Sequence, residues 1–253
     1  MDDWKNRAFV LKRPVEEYLM YCLETRLVDE DSLERVLSRL ERVSFSVDNT
    51  LSGDAQASPI SVPGNVRQTT GMEVIVNEKK TKESSKFYFE DEVIFHELTH
   101  SVSGIYEQFL EKLVLWYDFD KLLVEKFHVS QKEVEEIRND PHFRQMAYTW
   151  SALDEFVAQY VAQELVSCKY KSKDIYFDKP QAVRQSDPTI TVYYDFADYH
   201  ELHDLVVAFI KPIYGDDVRQ FVIDSLSGIS IDKIYDFYSK RPNGFNEFVS
   251  LFG

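Results

Sequence analysis

Apolar residues recur three and four apart from Pro14 to Arg26 and again from Asp31 to Val43, which predicts two short helices. Pro14 suits a first helical position, and Asp31 or Ser32 suits the cap of the second helix. The pattern then changes to alternation. Ser44 to Asp48 alternates weakly, and Met72 to Asn77 (Met-Glu-Val-Ile-Val-Asn) reads as a clear strand. Between them, Asn49 to Asn65 is rich in Ser, Gly, Pro and Asn, and predicts a loop long enough to be a candidate flap. Glu78 to Lys86 reads as a polar turn region, and Lys86 to Glu90 as one more short strand.

Helical spacing returns near Glu90 to Glu92, where acidic residues suit the positive end of a helix, and stops around Ser103-Gly104. Ile105 to Phe127 keeps helical periodicity, and Ser130 to Glu133 is a capping box opening a short acidic helix. Pro141 opens a long helix running to about Cys168. Thr189 to Tyr194 alternates as a strand does, and Phe196 to Phe252 predicts three or four helices punctuated by Pro212, Gly215, Gly228 and Pro242-Asn243-Gly244. The expected fold is therefore α+β: one mainly helical domain over 1–253 with a small β-sheet against the helix after Glu90. Residues 196–253 form a candidate helical C-terminal subdomain.

Composition narrows the class. A chain of 253 residues fits one large domain, and 44% hydrophobic residues can build a sizeable core. The formal net charge of −15 argues against nucleic acid, whose phosphates need a basic face; it fits solubility or a basic substrate. Cys22 and Cys168 sit in apolar, helix-like surroundings and are expected to be buried thiols, not a disulfide framework. The longest purely apolar run, Leu205 to Ile210, is far too short to span a membrane, and Met1 to Lys5 has no apolar signal core. A soluble, cytoplasmic protein is expected, with its oligomeric state open.

The chemistry concentrates in His96-Glu97-Leu98-Thr99-His100. On a helix, residues four apart share one face, so His96 and His100 can converge on one cation, and neutral imidazole is a zinc ligand. Glu97 projects beside that site, where it can take a proton from a water acidified by the metal. Val93, Ile94, Phe95, Leu98 and Val102 predict that this helix is mostly buried.

This segment resembles the H-E-x-x-H signature of the zincin metallopeptidases. The metzincin branch requires a glycine where this chain has Ser103 and a third histidine where it has Tyr106, so that branch is excluded. The gluzincin branch takes its third ligand from a glutamate on a downstream helix. Glu155, 55 residues after His100, is the best match, with Asp154 the rival ligand or a residue orienting a ligand. Ser151, Ala158 and Ala162 lie at i−4, i+3 and i+7 from Glu155, a stripe of small residues that lets two helices approach closely. Gln159 stands where larger gluzincins carry an aspartate that orients a histidine.

The resemblance spans His96 to Ala162. It implies one zinc per chain, held by His96, His100 and Glu155, with Glu97 as catalytic base and a peptide or protein as substrate. Tyr193, Tyr194 and His200 are candidates for stabilising the oxyanion. In zincins an edge strand pairs with extended peptide, a role that would fall to Met72–Asn77 or Lys86–Glu90. An inactive zincin-like scaffold with a structural zinc, and a helical interaction protein without metal, are the alternatives.

Overall fold

The computed structural model describes residues 2–25, 30–62, 65–83, 88–105, 141–170 and 199–240. The chain runs α1 (Asp2–Thr25), α2 (Glu30–Glu41), β1 (Val43–Val47), β2 (Ala55–Val62), β3 (Asn65–Val76), α3 (Glu78–Glu83) and α4 (Phe89–Val102). It continues through α5 (Pro141–Tyr170), α6 (Tyr199–Tyr214), α7 (Val218–Ser227) and α8 (Ser230–Ser239). Helices dominate, with one small mixed sheet, as an α+β reading requires.

The first helix is longer than its sequence pattern predicts, and Pro14 lies inside it rather than at its start. Leu11, Val15, Tyr18 and Leu19 form one buried stripe that runs across the proline. An interior proline costs about 3 kcal/mol, partly because the carbonyl four residues earlier loses its donor. That residue is Val10, which is 66% exposed, so water can replace the lost donor. The second helix starts before the expected caps. Ser32 is buried within it, accepting from Arg35 Nη2 at 2.7 Å, and stands inside the helix, not at the expected cap position.

The sheet order is β1-β3-β2. β3 pairs parallel with β1, from Val43 opposite Met72 to Val47 opposite Val76. It pairs antiparallel with β2, from Ala55 opposite Val76 to Val62 opposite Asn65, with irregular register around Ile60 to Val62. Two expectations are corrected here. The segment expected to be a flap loop contains β2; its Pro59 lies on a sheet edge, the place where a strand tolerates a missing N–H. Met72–Val76 lies in the central strand, hydrogen-bonded on both sides, and offers no free edge.

The expected polar turn contains the short α3, capped where the Asn77 side-chain oxygen accepts from the Lys80 N–H at 3.2 Å. The expected strand Lys86–Glu90 is also corrected. Residues 86 and 87 lie outside the described residues, and Phe89 and Glu90 form the first turn of α4. Three acidic residues, Glu90, Asp91 and Glu92, favour helix over strand at this point because they face the positive end of its dipole.

α4 is the central element. Among the described residues it touches β2, β3 and α5, and also α1, α2 and α3. α6 and α7 pack on α5, and α7 also reaches α2. Ile94, Phe95, Leu98, Phe156, Val157, Phe209, Phe221 and Leu226 belong to one continuous buried core.

Asp91, 1% exposed, ties three helices together: it binds Arg7 of α1 and both Lys169 and Tyr170 of α5. At the other end of α4, Gly104 meets the left-handed Gly228 (φ 84°) that ends α7. A Cβ on Gly104 would stand 2.7 Å from the Gly228 Cα.

α5 covers the predicted long helix. Cys168, near its end, is exposed and free, contrary to the expected burial: Leu165 and Val166 take the core-facing positions of that turn. Most of the expected helix from Ile105 to Phe127, the capping box at Ser130, the strand with Tyr193 and Tyr194, and 241–253 lie outside the described residues, as does the side chain of Cys22. Among the described residues, no helix is long and apolar enough to cross a membrane.

Candidate metal centre

Burial on α4 is nearly complete except along one stripe. Asp91, Glu92, Ile94, Phe95, Leu98, Thr99, Ser101 and Val102 are buried, whereas Val93, His96, Glu97 and His100 are half-buried. The latter lie at i, i+3, i+4 and i+7, so the chemistry-bearing residues occupy the single face of the helix that is not sealed. On α5, Asp154 and Glu155 are half-buried while Ala158 and Ala162 are fully buried. These small side chains let the two helices lie close enough for Glu155 to reach both histidines.

The structure brings His96, His100 and Glu155 together. The two Nε2 atoms are 2.9 Å apart. Glu155 Oε2 lies 3.2 Å from His96 Nε2, and its Oε1 lies 3.4 Å from His100 Nε2. Among the described residues, this is the group of His, Cys, Asp or Glu side chains able to hold a metal ion.

The other ring nitrogens are committed elsewhere. His100 Nδ1–H donates to Asp154 Oδ2 at 2.8 Å, and the Ser103 hydroxyl donates to the second oxygen of Asp154 at 2.7 Å. Asp154 thus faces the ring nitrogen that points away from the convergent group. His96 Nδ1–H donates to Gln159 Oε1 at 3.0 Å, and Gln159 Nε2 donates to Glu92 Oε1 at 2.8 Å. With both Nδ1 atoms acting as donors, both Nε2 atoms are left to present lone pairs to one point.

Two nitrogens and a carboxylate this close call for positive charge among them, which a proton on one Nε2 or a bound cation supplies. The electrostatics state the same demand. Burial would depress both histidines, yet the Glu155 carboxylate holds His96 above its ordinary value. Asp154 and Glu155 together outweigh burial and hold His100 well above. Burial would raise the Glu155 carboxyl, but His100 and then His96 pull it far below the usual carboxylate range. The donor types, imidazole nitrogen and carboxylate oxygen, are ones that zinc also accepts, so the group could hold a metal ion in place of a proton.

Glu97 stands beside the group and outside it. Burial pushes its carboxyl up, and nearby Glu155 adds to the shift; His96, His100 and the backbone N–H of Ala57 on β2, which donates to it, pull the other way. Of the oxyanion candidates, Tyr193 and Tyr194 lie outside the described residues. His200 is in the first turn of α6, with its side chain outside what is described.

Three participants were not legible in the sequence: Ser103, Glu92 and Ala57. Glu92 carried one usable signal, a carboxylate four residues before His96 and hence one turn away on the same helix. Comparison of the chain with protein-family models, with curated proteins and with solved structures finds no match, so the motif and its geometry carry the reading of this site.

Proposed function

We propose that the protein is a zinc-dependent peptidase with a zincin-like domain, in which His96, His100 and Glu155 hold one zinc and Glu97 is the catalytic base. The observation that carries this reading is the close approach of the donor atoms of the three side chains. Zinc bonds of roughly 2.0–2.1 Å in a tetrahedron imply ligand-to-ligand edges of about 3.3 Å. Here the two Nε2 atoms are 2.9 Å apart, and the Glu155 carboxylate spans them, with Oε2 3.2 Å from His96 and Oε1 3.4 Å from His100; one donor atom from each residue lies within 4.8 Å of the others.

A zinc in this place supplies a water of lowered pKa and polarises the scissile carbonyl. Among the described residues this group offers three ligands, the number a catalytic zinc site takes from the protein. Glu97 accepts the proton of the attacking water and passes it to the leaving amine. Its raised pKa suits that exchange, since an acid–base group works best near the operating pH. Extended peptide pairs with the outer edge of β2, not with β3, because β2 is an edge strand lying against α4 with Ala57 beside Glu97. A cytoplasmic setting goes with this reading, supported by the exposed free thiol of Cys168.

Elemental analysis of the purified protein and of the His100→Ala variant is the first test, with about one zinc expected in the wild type and none in the variant. A casein or peptide-library screen then supplies a substrate. On it, Glu97→Gln retains zinc and loses roughly 10²–10⁴-fold in rate. A wild type that takes up no zinc on titration overturns the metal centre; full activity in Glu97→Gln overturns the mechanism.

A further inference from the structure

The geometry points to Glu92 as a positioning residue that fixes His96 for metal through the side-chain amide of Gln159. This inference rests on the zinc reading above and concerns a residue two steps removed from the metal.

Glu92 and His96 are one turn apart on α4, and the Gln159 side chain from α5 bridges them: Nε2 to Glu92 at 2.8 Å, Oε1 to His96 Nδ1 at 3.0 Å. Both contacts are sheltered, with Glu92 at 6% and Gln159 at 4% exposure. A glutamine amide is nearly symmetric in shape but opposite in sense at its two ends: turned over, it would offer N–H to His96 instead of oxygen. His96 would then carry its proton on Nε2, the atom that must bind metal, and the ligand would be lost.

What prevents the turn is Glu92. A carboxylate only accepts, so the amide end facing it must be the NH2. Glu92 therefore dictates the orientation of Gln159, Gln159 dictates the tautomer of His96, and Nε2 is left free. His100 obtains the same tautomer directly from a carboxylate, Asp154. The two histidines are thus set alike by two devices, with the negative charge in contact for one and relayed by an amide for the other.

The experiment measures zinc affinity by chelator competition in wild type, Glu92→Gln, Gln159→Glu and the double variant, with thermal melts reporting the fold. Glu92→Gln is isosteric but tolerates both amide orientations, and weakens zinc binding by roughly tenfold, as loss of an outer partner to a ligating histidine does. Gln159→Glu sets two carboxylates against each other and weakens both zinc binding and the fold. The double variant rebuilds the relay in reversed polarity: the new amide on α4 donates, the new carboxylate on α5 accepts from it and from His96, and affinity returns to within a few-fold of wild type. A residue that merely fills space gives no such recovery.

Equal zinc affinity in wild type and Glu92→Gln overturns the inference, as does a double variant no tighter than the two single losses combined. A wild type that binds no zinc overturns the metal reading itself, and this inference with it.

Discussion

The Asp91→Asn substitution tests what holds α4 and α5, the two helices of the candidate metal centre, in register. Asp91 is 1% exposed and meets Arg7 Nη2 at 3.0 Å, the Lys169 ammonium and the Tyr170 hydroxyl, so one carboxylate joins α1, α4 and α5. Removing one partner of a buried charge cluster costs about 3–5 kcal/mol. The side chains of Arg7 and Lys169 are 41% and 40% exposed, so both keep part of their hydration when the carboxylate goes, which favours the low end, about 3 kcal/mol.

For a chain of this size, that lowers the midpoint by about 6–12 °C. The loss depends on pH. Burial would raise the Asp91 carboxyl, but Lys169, Tyr170 and Arg7 outweigh it and hold it below its ordinary value. A group depressed in the folded state contributes stability above its unfolded pKa of about 3.9 and loses it as pH falls through the folded value. Urea melts of wild type and Asp91→Asn should therefore differ fully at pH 7 and converge in the acid range. A difference under about 1 kcal/mol at pH 7, or one that does not shrink in acid, would refute this account.

Two further outcomes follow from the geometry. Because Asp154 and Glu155 keep His100 protonated above its usual range, zinc must displace a proton to bind. Affinity should fall about tenfold per pH unit for each proton displaced below that raised value, and calorimetry in buffers of different ionisation enthalpy counts the protons; buffer-independent heats would contradict it. Gly104→Ala drives a Cβ to within 2.7 Å of the Gly228 Cα, a backbone atom that cannot step aside, and should cost about 1–3 kcal/mol in a denaturant melt; an unchanged midpoint would show that the helix ends can separate freely.

Much of the frame was legible because its signals are periodic. The long helix from Pro141, the buried helix of His96 and the shared face of His96 and His100 follow from spacings of three and four, while Glu155 was placed with them by the resemblance to the gluzincin third ligand. What stayed hidden was set by tertiary context. β2 contains Ser58, Pro59 and Ser61, residues that read as loop by themselves, and it is a strand because β3 lies beside it. Pro14 looks like a helix start until a buried stripe runs through it. Glu92 looks like one of three acidic residues suited to a helix N-terminus. Its second role depends on Gln159, 67 residues later, and no local pattern encodes that pairing.

The convergent side chains come from two helices only, with His100 and Glu155 separated by 55 residues of chain. An ion gripped between them is also a cross-link, tying the two ends of that length of polypeptide together for as long as it stays bound. A covalent link of such span removes disorder worth about 4 kcal/mol, and a metal clip acts in the same sense while it stays bound. Chelation should therefore do more than abolish chemistry. It should loosen α4 from α5 ahead of the sheet, so that protection from hydrogen exchange falls first along these two helices.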